Sequence, residues 1–152
     1  MNKFYPVGVV VVVALFVIAV VSGGSRITHF ISIASLVLVT VPAAVMALSA
    51  SSLGEMGRAF KAAFAGTSPS RAELLKAQSF FEAVGRMVIA SGIVGFVTGA
   101  VVLLANLGGD PTIIGAGTAV ALLTVLYAAI LDILVPVPFR LAIRRKLAEL
   151  DG

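Results

Sequence analysis

One acidic side chain lies inside an otherwise apolar stretch, and it is the residue best placed to do chemistry. Asp132 directly follows the uncharged run 111–131. A carboxylate inside a membrane helix is costly and usually faces protein or water, where it can take part in ion transfer. At about 1.5 Å per residue, the run places Asp132 near one end of a membrane helix. We therefore predict an interfacial aspartate paired with Arg86 or Arg140 of a neighbouring subunit, with an ion-exit role as the alternative.

Other chemistry is poorly represented in the chain. It has no cysteine, so thiol chemistry and disulfides are excluded, and its single histidine, His29, reads as an interfacial polar residue. No Ser/His/Asp set, phosphate loop, nucleotide motif or metal-ligand spacing is present. The sequence therefore predicts a protein that is not an enzyme and that needs no cofactor or metal.

The composition indicates which solvent surrounds the chain. Hydrophobic residues make up 60% of the 152 positions, charged residues 12%, and the mean hydropathy is +1.14. So few charged side chains could not cover the apolar helices of a soluble protein this small. Four apolar runs meet the roughly 20 residues needed to cross a bilayer as helix. We predict an all-α integral membrane domain over 1–152, with spans at about 4–25, 28–52, 84–107 and 111–135.

A cleaved signal peptide is the alternative for the first run. Its apolar body from Val7 to Val21 is long for a signal peptide, and no Ala-x-Ala cleavage site follows it. A retained first span is therefore the preferred interpretation.

Basic residues predict the orientation of the spans, because cationic segments resist translocation. Of the eleven Lys and Arg residues, only Arg26 lies outside the amino terminus, the central loop and the carboxyl tail. Both termini and the loop at about 53–83 should then be cytoplasmic, with short outer turns at 23–26 and 106–110. Basic flanks of this kind face anionic lipid headgroups, and no nucleic-acid surface is predicted.

The predicted cytoplasmic segments have helical patterns. Apolar residues recur at helical spacing after residue 53, so we expect the second helix to run on into the cytoplasm. Residues 66–69 then break it, and Ser70 with Glu73 forms a capping box for a helix that continues into the third span. Pro136 and Pro138 interrupt the fourth span, and residues 138–152 read as a short amphipathic surface helix.

Small residues stripe the third and fourth spans. A Gly-x-x-x-Gly pattern lets a second helix backbone approach closely, so these two helices should make the interior contacts of the bundle or of an oligomer. The predicted helix-packing residues are Ser91, Gly92, Gly95, Gly99, Gly117, Ala121 and Ala128.

These segments, taken together, resemble the MotA/TolQ/ExbB family, and its MotA branch in particular. The resemblance lies in Gly-Ile-Val-Gly-Phe-Val-Thr-Gly at 92–99 and Ala-Leu-Leu-Thr-Val-Leu-Tyr at 121–127, with further matches at 76–81, 106–107, 110–111, 114–115 and Pro138. It implies a homopentamer of four-span subunits in the inner membrane. The pentamer would surround a single-span MotB/ExbD/TolR-like partner whose membrane aspartate carries the ion, and ion flow would drive movement.

Two departures from the family pattern affect the implied ion path. Phe96 and Val125 stand where the family has hydroxyl-bearing threonines, and only Thr98 and Thr124 lie nearby. A threonine hydroxyl can relay or position a proton, whereas Phe and Val can only pack. Back-bonding to their own helices is the competing role for the two threonines. The ion-path or pore-lining candidates are Phe96, Thr98, Thr124, Val125 and Asp132.

The central loop is much shorter than the folded cytoplasmic domain that the family resemblance implies. Its charged residues, from Arg58 to Lys76, are expected to form a solvated face rather than a rotor contact. The leading hypothesis is a MotA-like subunit of an ion-driven motor or channel. A non-conducting scaffold of the same fold is the alternative, and a small four-span exporter is disfavoured because it would need a carboxylate deeper in the membrane.

Overall fold

The computed structural model describes residues 5–22, 24, 27–64, 69–109 and 111–151, and these residues are helical apart from short connections. The predicted breaks at 23–26 and 66–68, and Asp110 of the second turn, lie mostly outside this set. The helices are α1 (Tyr5–Ser22), α2 (Ile33–Ala50), α3 (Leu53–Phe64), α4 (Arg71–Ala105), α5 (Pro111–Leu134) and α6 (Pro136–Asp151), with a 3-10 turn at Ile27–Phe30 before α2.

Among the residues that the structure describes, three segments are long and apolar enough to cross a membrane, in agreement with a multi-pass membrane protein. They are Thr28–Ala50, Arg71–Ala105 and Thr112–Leu150. α1 is apolar but only 18 residues long, and its side chains are mostly exposed. Its Phe16 ring contacts Phe30 edge to face, with 5.8 Å between the ring centroids. The four-span topology therefore stays a prediction, with α1 at the periphery of the bundle.

The expectation that the second helix continues past residue 53 is wrong. α2 ends at Ala50, and Ser51 is extended, with φ −145° and ψ 140°. The Ser52 backbone N–H donates to Glu55 Oε2 at 2.9 Å, while the Glu55 N–H donates to Ser52 Oγ at 3.3 Å. This reciprocal pair is a capping box, which satisfies the first donors of a new helix and so favours a start at α3.

α4 runs without interruption from the central loop through the apolar stretch, as the sequence predicts. The capping box of Ser70 and Glu73 opens it. Its 35 residues give a helix about 50 Å long, more than a bilayer core requires. One part of α4 therefore packs in the hairpin with α5, and the other extends beyond it.

α5 and α6 are separated at Val135, immediately before Pro136, where the sequence predicts an interruption. α6 differs from the predicted surface helix, because Phe139 and Ile143 on it are buried. These side chains pack against Phe81 and Leu74 of α4. The break lets α6 fold against the extended part of α4 and bury one of its faces.

Five phenylalanines from α3, α4 and α6 form a cluster that we call the aromatic core. Phe81 stacks on Phe139 with 4.8 Å between centroids, and Phe60 meets both rings edge to face at 5.1 and 5.2 Å. Phe64 and Phe80 complete the cluster. The molecule thus has two ends: a turn end at Asn106–Gly109 and a core end at the aromatic core.

Candidate functional site in the α4–α5 hairpin

α4 and α5 touch backbone to backbone because glycine removes the side chain at each crossing point. A Cβ added at Gly99 would lie 2.7 Å from the Ala121 backbone nitrogen. One added at Gly95 would lie 2.7 Å from Thr124 Cγ2, and one at Gly92 would lie 2.4 Å from the Ala128 Cβ. No real side chain tolerates such separations, so the hairpin depends on these glycines.

The predicted helix-packing residues are all buried in the described structure. Gly117 adds a crossing near the turn end, where a Cβ would meet the Leu103 nitrogen at 3.3 Å. Ser91 is 8% exposed and Ala121 and Ala128 are 5% and 3% exposed. All seven therefore lie at closely packed positions, and their helix-packing role remains a prediction.

The two threonines proposed for the ion path do not face each other. Thr124 is fully buried against Gly95, and its hydroxyl donates to the Ala121 carbonyl at 2.8 Å. Thr98 is exposed and donates to the Val94 carbonyl at 2.9 Å. Both hydroxyl protons are therefore engaged by their own helices.

Phe96 and Val125 lie at the same height, because they directly follow Gly95 and Thr124, which touch each other. Both side chains are exposed, at 41% and 47%. α2 packs on the other side of the hairpin, where Met87 and Tyr127 border its contact.

Helical geometry places Phe96 and Val125 on the side away from α2. Phe96 follows Met87 by about two and a half turns, so these two side chains point to opposite sides of α4. Val125 precedes Tyr127 by about 200°, so these two side chains point to nearly opposite sides of α5. The same spacing adds three further exposed residues to this surface, one of them a hydroxyl, Thr118, that the sequence interpretation missed. We call this surface the open face; it comprises Ile89, Phe96, Thr118, Leu122 and Val125.

Asp132 pairs within its own chain. Arg140 Nη2 donates to Asp132 Oδ1 at 3.3 Å, and the two side chains are 27% and 20% exposed, respectively. Arg140 is one of the two predicted partners of Asp132, but here it belongs to the same chain rather than to a neighbouring subunit. After the break at Val135, α6 continues along the extended part of α4, and Arg140 reaches an aspartate eight residues earlier in the chain.

Tyr127 is a second site residue that the sequence interpretation did not single out. Its hydroxyl accepts from the Ser32 backbone N–H at 2.9 Å and donates to the Phe30 carbonyl. Ser35, fully buried, donates to the Val120 carbonyl at 3.4 Å. The available signal was the phenol itself, because a tyrosine hydroxyl within an apolar span needs a hydrogen-bond partner.

The chemistry available to this arrangement is limited to packing and charge pairing. Within the described ranges, no group of three or more His, Asp or Glu side chains could hold a metal ion. The open face carries a single hydroxyl and no charge. Any ion carried along it would need a carboxylate from another chain.

The fold and these contacts define an all-helical, multi-pass membrane protein built around a glycine-packed helical hairpin. No family model matches the sequence. Over 67 residues the chain is 45% identical to the chemotaxis protein PomA of Vibrio alginolyticus. The match covers 43% of this chain and 26% of PomA, so the chain spans about a quarter of that relative's length. This similarity supports a MotA-like relationship.

Proposed function

We propose that this chain is a stator-like subunit of an ion-driven membrane motor or channel. Five copies, each with four spans, would surround the membrane helices of a single-span MotB-like partner. The partner would supply the carboxylate that carries the ion. The similarity to PomA supports the motor class, and the open face is the observation that supports the arrangement.

The open face has the properties required of a surface that receives a partner helix. It is apolar apart from Thr118, it lies opposite α2, and Phe96 and Val125 project from the most tightly packed part of the hairpin. A rigid backbone contact behind these residues would hold them in a fixed register. In a pentamer with this face toward the axis, five Phe96 and five Val125 side chains would form an apolar ring.

The proposed membrane is the cytoplasmic one, with both termini and the aromatic core on the cytoplasmic side. Basic residues concentrate at the core end, in agreement with the positive-inside rule. α1 would form the first span at the periphery. Asp132, near the core end, would lie where an ion leaves the membrane.

A non-conducting scaffold of the same fold is the second candidate, and the apolar ring supports it. Neither Phe96 nor Val125 can hydrogen-bond a proton acceptor, and both nearby threonine hydroxyls donate to their own helices. The two candidates share the fold and the open face, and they differ only in ion flux.

Ion flux through the partnered complex separates the two functions. The complex with a single-span MotB-like protein would be reconstituted into liposomes with an imposed proton or sodium gradient, and a pH-sensitive or a sodium-sensitive dye inside them would report the matching flux. Flux that disappears when the partner's membrane aspartate becomes asparagine would support the motor subunit. Absence of flux under both gradients would reject conduction and leave the scaffold.

Cysteine cross-linking tests the open face without requiring flux. The chain has no native cysteine, so Phe96→Cys or Val125→Cys introduces a unique thiol. Each should cross-link to a cysteine in the partner's membrane helix. Val94→Cys is the matched control, because Val94 is 63% exposed but points to another side of α4. Stronger cross-linking from Val94 than from Phe96 would contradict the proposed face.

A further inference from the structure

Three helices meet at a single glycine at the core end of the hairpin. A Cβ added at Gly85 of α4 would lie 2.8 Å from Asp132 Oδ1, 3.3 Å from the Pro136 Cβ and 3.5 Å from Arg140 Nη2. Gly85 is buried, and Pro136 is less than 2% exposed. The absence of a side chain on α4 therefore makes room for a charged pair and a proline from α5 and α6.

The charged pair spans the break between α5 and α6. Asp132 precedes Val135 by nearly one turn, and Arg140 follows Pro136 by about one turn. Proline has no backbone N–H, so the hydrogen-bond ladder of α5 cannot continue regularly through it. The ion pair is thus a side-chain connection across a point where the backbone connection is weakened.

Because the Asp132–Arg140 pair is shielded, its removal should disturb the structure more than removal of an exposed pair would. Both side chains are mostly shielded, at 20% and 27% exposed, whereas Arg144 in the neighbouring pair with Glu82 is 61% exposed. Removing one member of a shielded pair leaves the other charge without its partner. The α4 backbone at Gly85 supports the pair from the third side.

We propose that Gly85, Asp132 and Arg140 form a latch that fixes the angle between α5 and α6. α6 carries Phe139 and Ile143 of the aromatic core, so the latch positions the aromatic core relative to the hairpin. Asp132 and Arg140 are positioning residues in this role. The latch does not depend on the proposed partner or on ion flux.

A distance measurement across the break tests the latch directly. Ile113→Cys near the turn end of α5 and Ala148→Cys on α6 would both carry spin labels, since both positions are exposed. Labelled chains would be diluted with unlabelled ones, so that pulsed electron resonance reports distances within one subunit. The unaltered latch should give one narrow distance distribution.

Asp132→Asn and Arg140→Gln should shift that distribution or broaden it roughly twofold, as expected when a hinge gains freedom. Gly85→Ala should do the same by displacing the carboxylate. Arg140→Lys keeps the charge and should restore the narrow distribution. Arg144→Gln, which removes a more exposed charge on α6, and Gly57→Ala, where nothing lies within 4 Å of the added Cβ, should leave the distribution unchanged.

Two results, from the unaltered protein and from its latch variants, would overturn the latch, and a third could come from a control variant. One is a broad distribution in the protein with the latch intact, a test that needs no latch variant to fold. The other is an unchanged narrow distribution in every latch variant that retains its helical circular dichroism. A change in Arg144→Gln equal to that in Arg140→Gln would also contradict it, because the effect would then belong to α6 charge in general.

Discussion

The two ends of α4 hold their neighbours in opposite ways. Toward the turn end, Gly92, Gly95 and Gly99 bring α5 so close that no Cβ would fit. Toward the core end, Phe81 is fully buried among other phenylalanine rings. One helix thus gains contact by losing side chains in one half and by burying large ones in the other.

The proposed placement of the hairpin in lipid and of the aromatic core in water would account for the difference. In lipid, apolar side chains gain little by leaving their surroundings, so close backbone approach and van der Waals packing hold helices together. In water, burying aromatic area is strongly favourable. We therefore propose that the change along α4 lies where the helix leaves the membrane, and we expect variants in the two halves to behave differently.

Phe81→Ala should have the largest effect on stability, and this effect should come from the aromatic core alone. Truncating a buried phenylalanine costs about 3–5 kcal/mol. The free energy of unfolding, measured by denaturant titration in detergent, should fall by that amount. Leu75→Ala, on the same helix but 48% exposed, is the control. Equal losses from the two variants would show that the rings do not form a core.

Gly99→Ala should destabilise the closely packed part of α4 toward the turn end. The added methyl would meet the Ala121 backbone at 2.7–2.8 Å, and backbone cannot rotate away as a side chain can. Overpacking of this kind costs about 1–3 kcal/mol, measured by the same titration. Gly115→Ala, where nothing lies within 4 Å, should be neutral or stabilising. A neutral Gly99→Ala would mean that the hairpin is not tightly packed there.

Tyr127→Phe should destabilise the protein modestly, because it removes a polar contact between α5 and the segment that precedes α2. The variant removes the acceptor of the Ser32 N–H and the donor to the Phe30 carbonyl. The expected loss is about 1 kcal/mol, with faster amide exchange at Ser32. Thr40→Val, which removes only a bond within its own helix, is the control. Unchanged exchange at Ser32 would contradict the contact.

Lowering the pH should have the smallest effect on stability, and this effect should be confined to the start of α3. The Ser52 backbone N–H and hydroxyl both donate to the Glu55 carboxylate and hold the pKa of Glu55 below its usual value. The unfolded chain therefore binds this proton first, and the cap's contribution is lost as pH falls below about 4. Amide exchange in α3 should rise there, and Glu55→Gln should remove this pH dependence. A rise that persists in Glu55→Gln would assign it to another group.

The sequence predicted those parts of the fold that depend on residues close together in the chain. The apolar runs, the capping box at Ser70 and the interruption before Pro136 depend on residues a few positions apart. The small-residue stripes indicated close packing in α4 and α5, although spacing alone could not say which glycine meets which residue.

The remaining features depend on contacts between distant parts of the chain. The aromatic core joins Phe60, Phe81 and Phe139, and no local pattern brings them together. Arg140 and Asp132 meet across the break between α5 and α6, where both lie against Gly85 of α4. The break before α3 was the exception, since Ser52 and Glu55 repeat the spacing that was recognised at Ser70 and Glu73.

We propose that the open face lines the axis of a pentamer, and single-particle imaging of the detergent-solubilised protein would show this arrangement or its absence. We expect five subunits, with Phe96 and Val125 of each directed at the central axis. A monomer or dimer, or a ring in which these two side chains face the detergent, would contradict it.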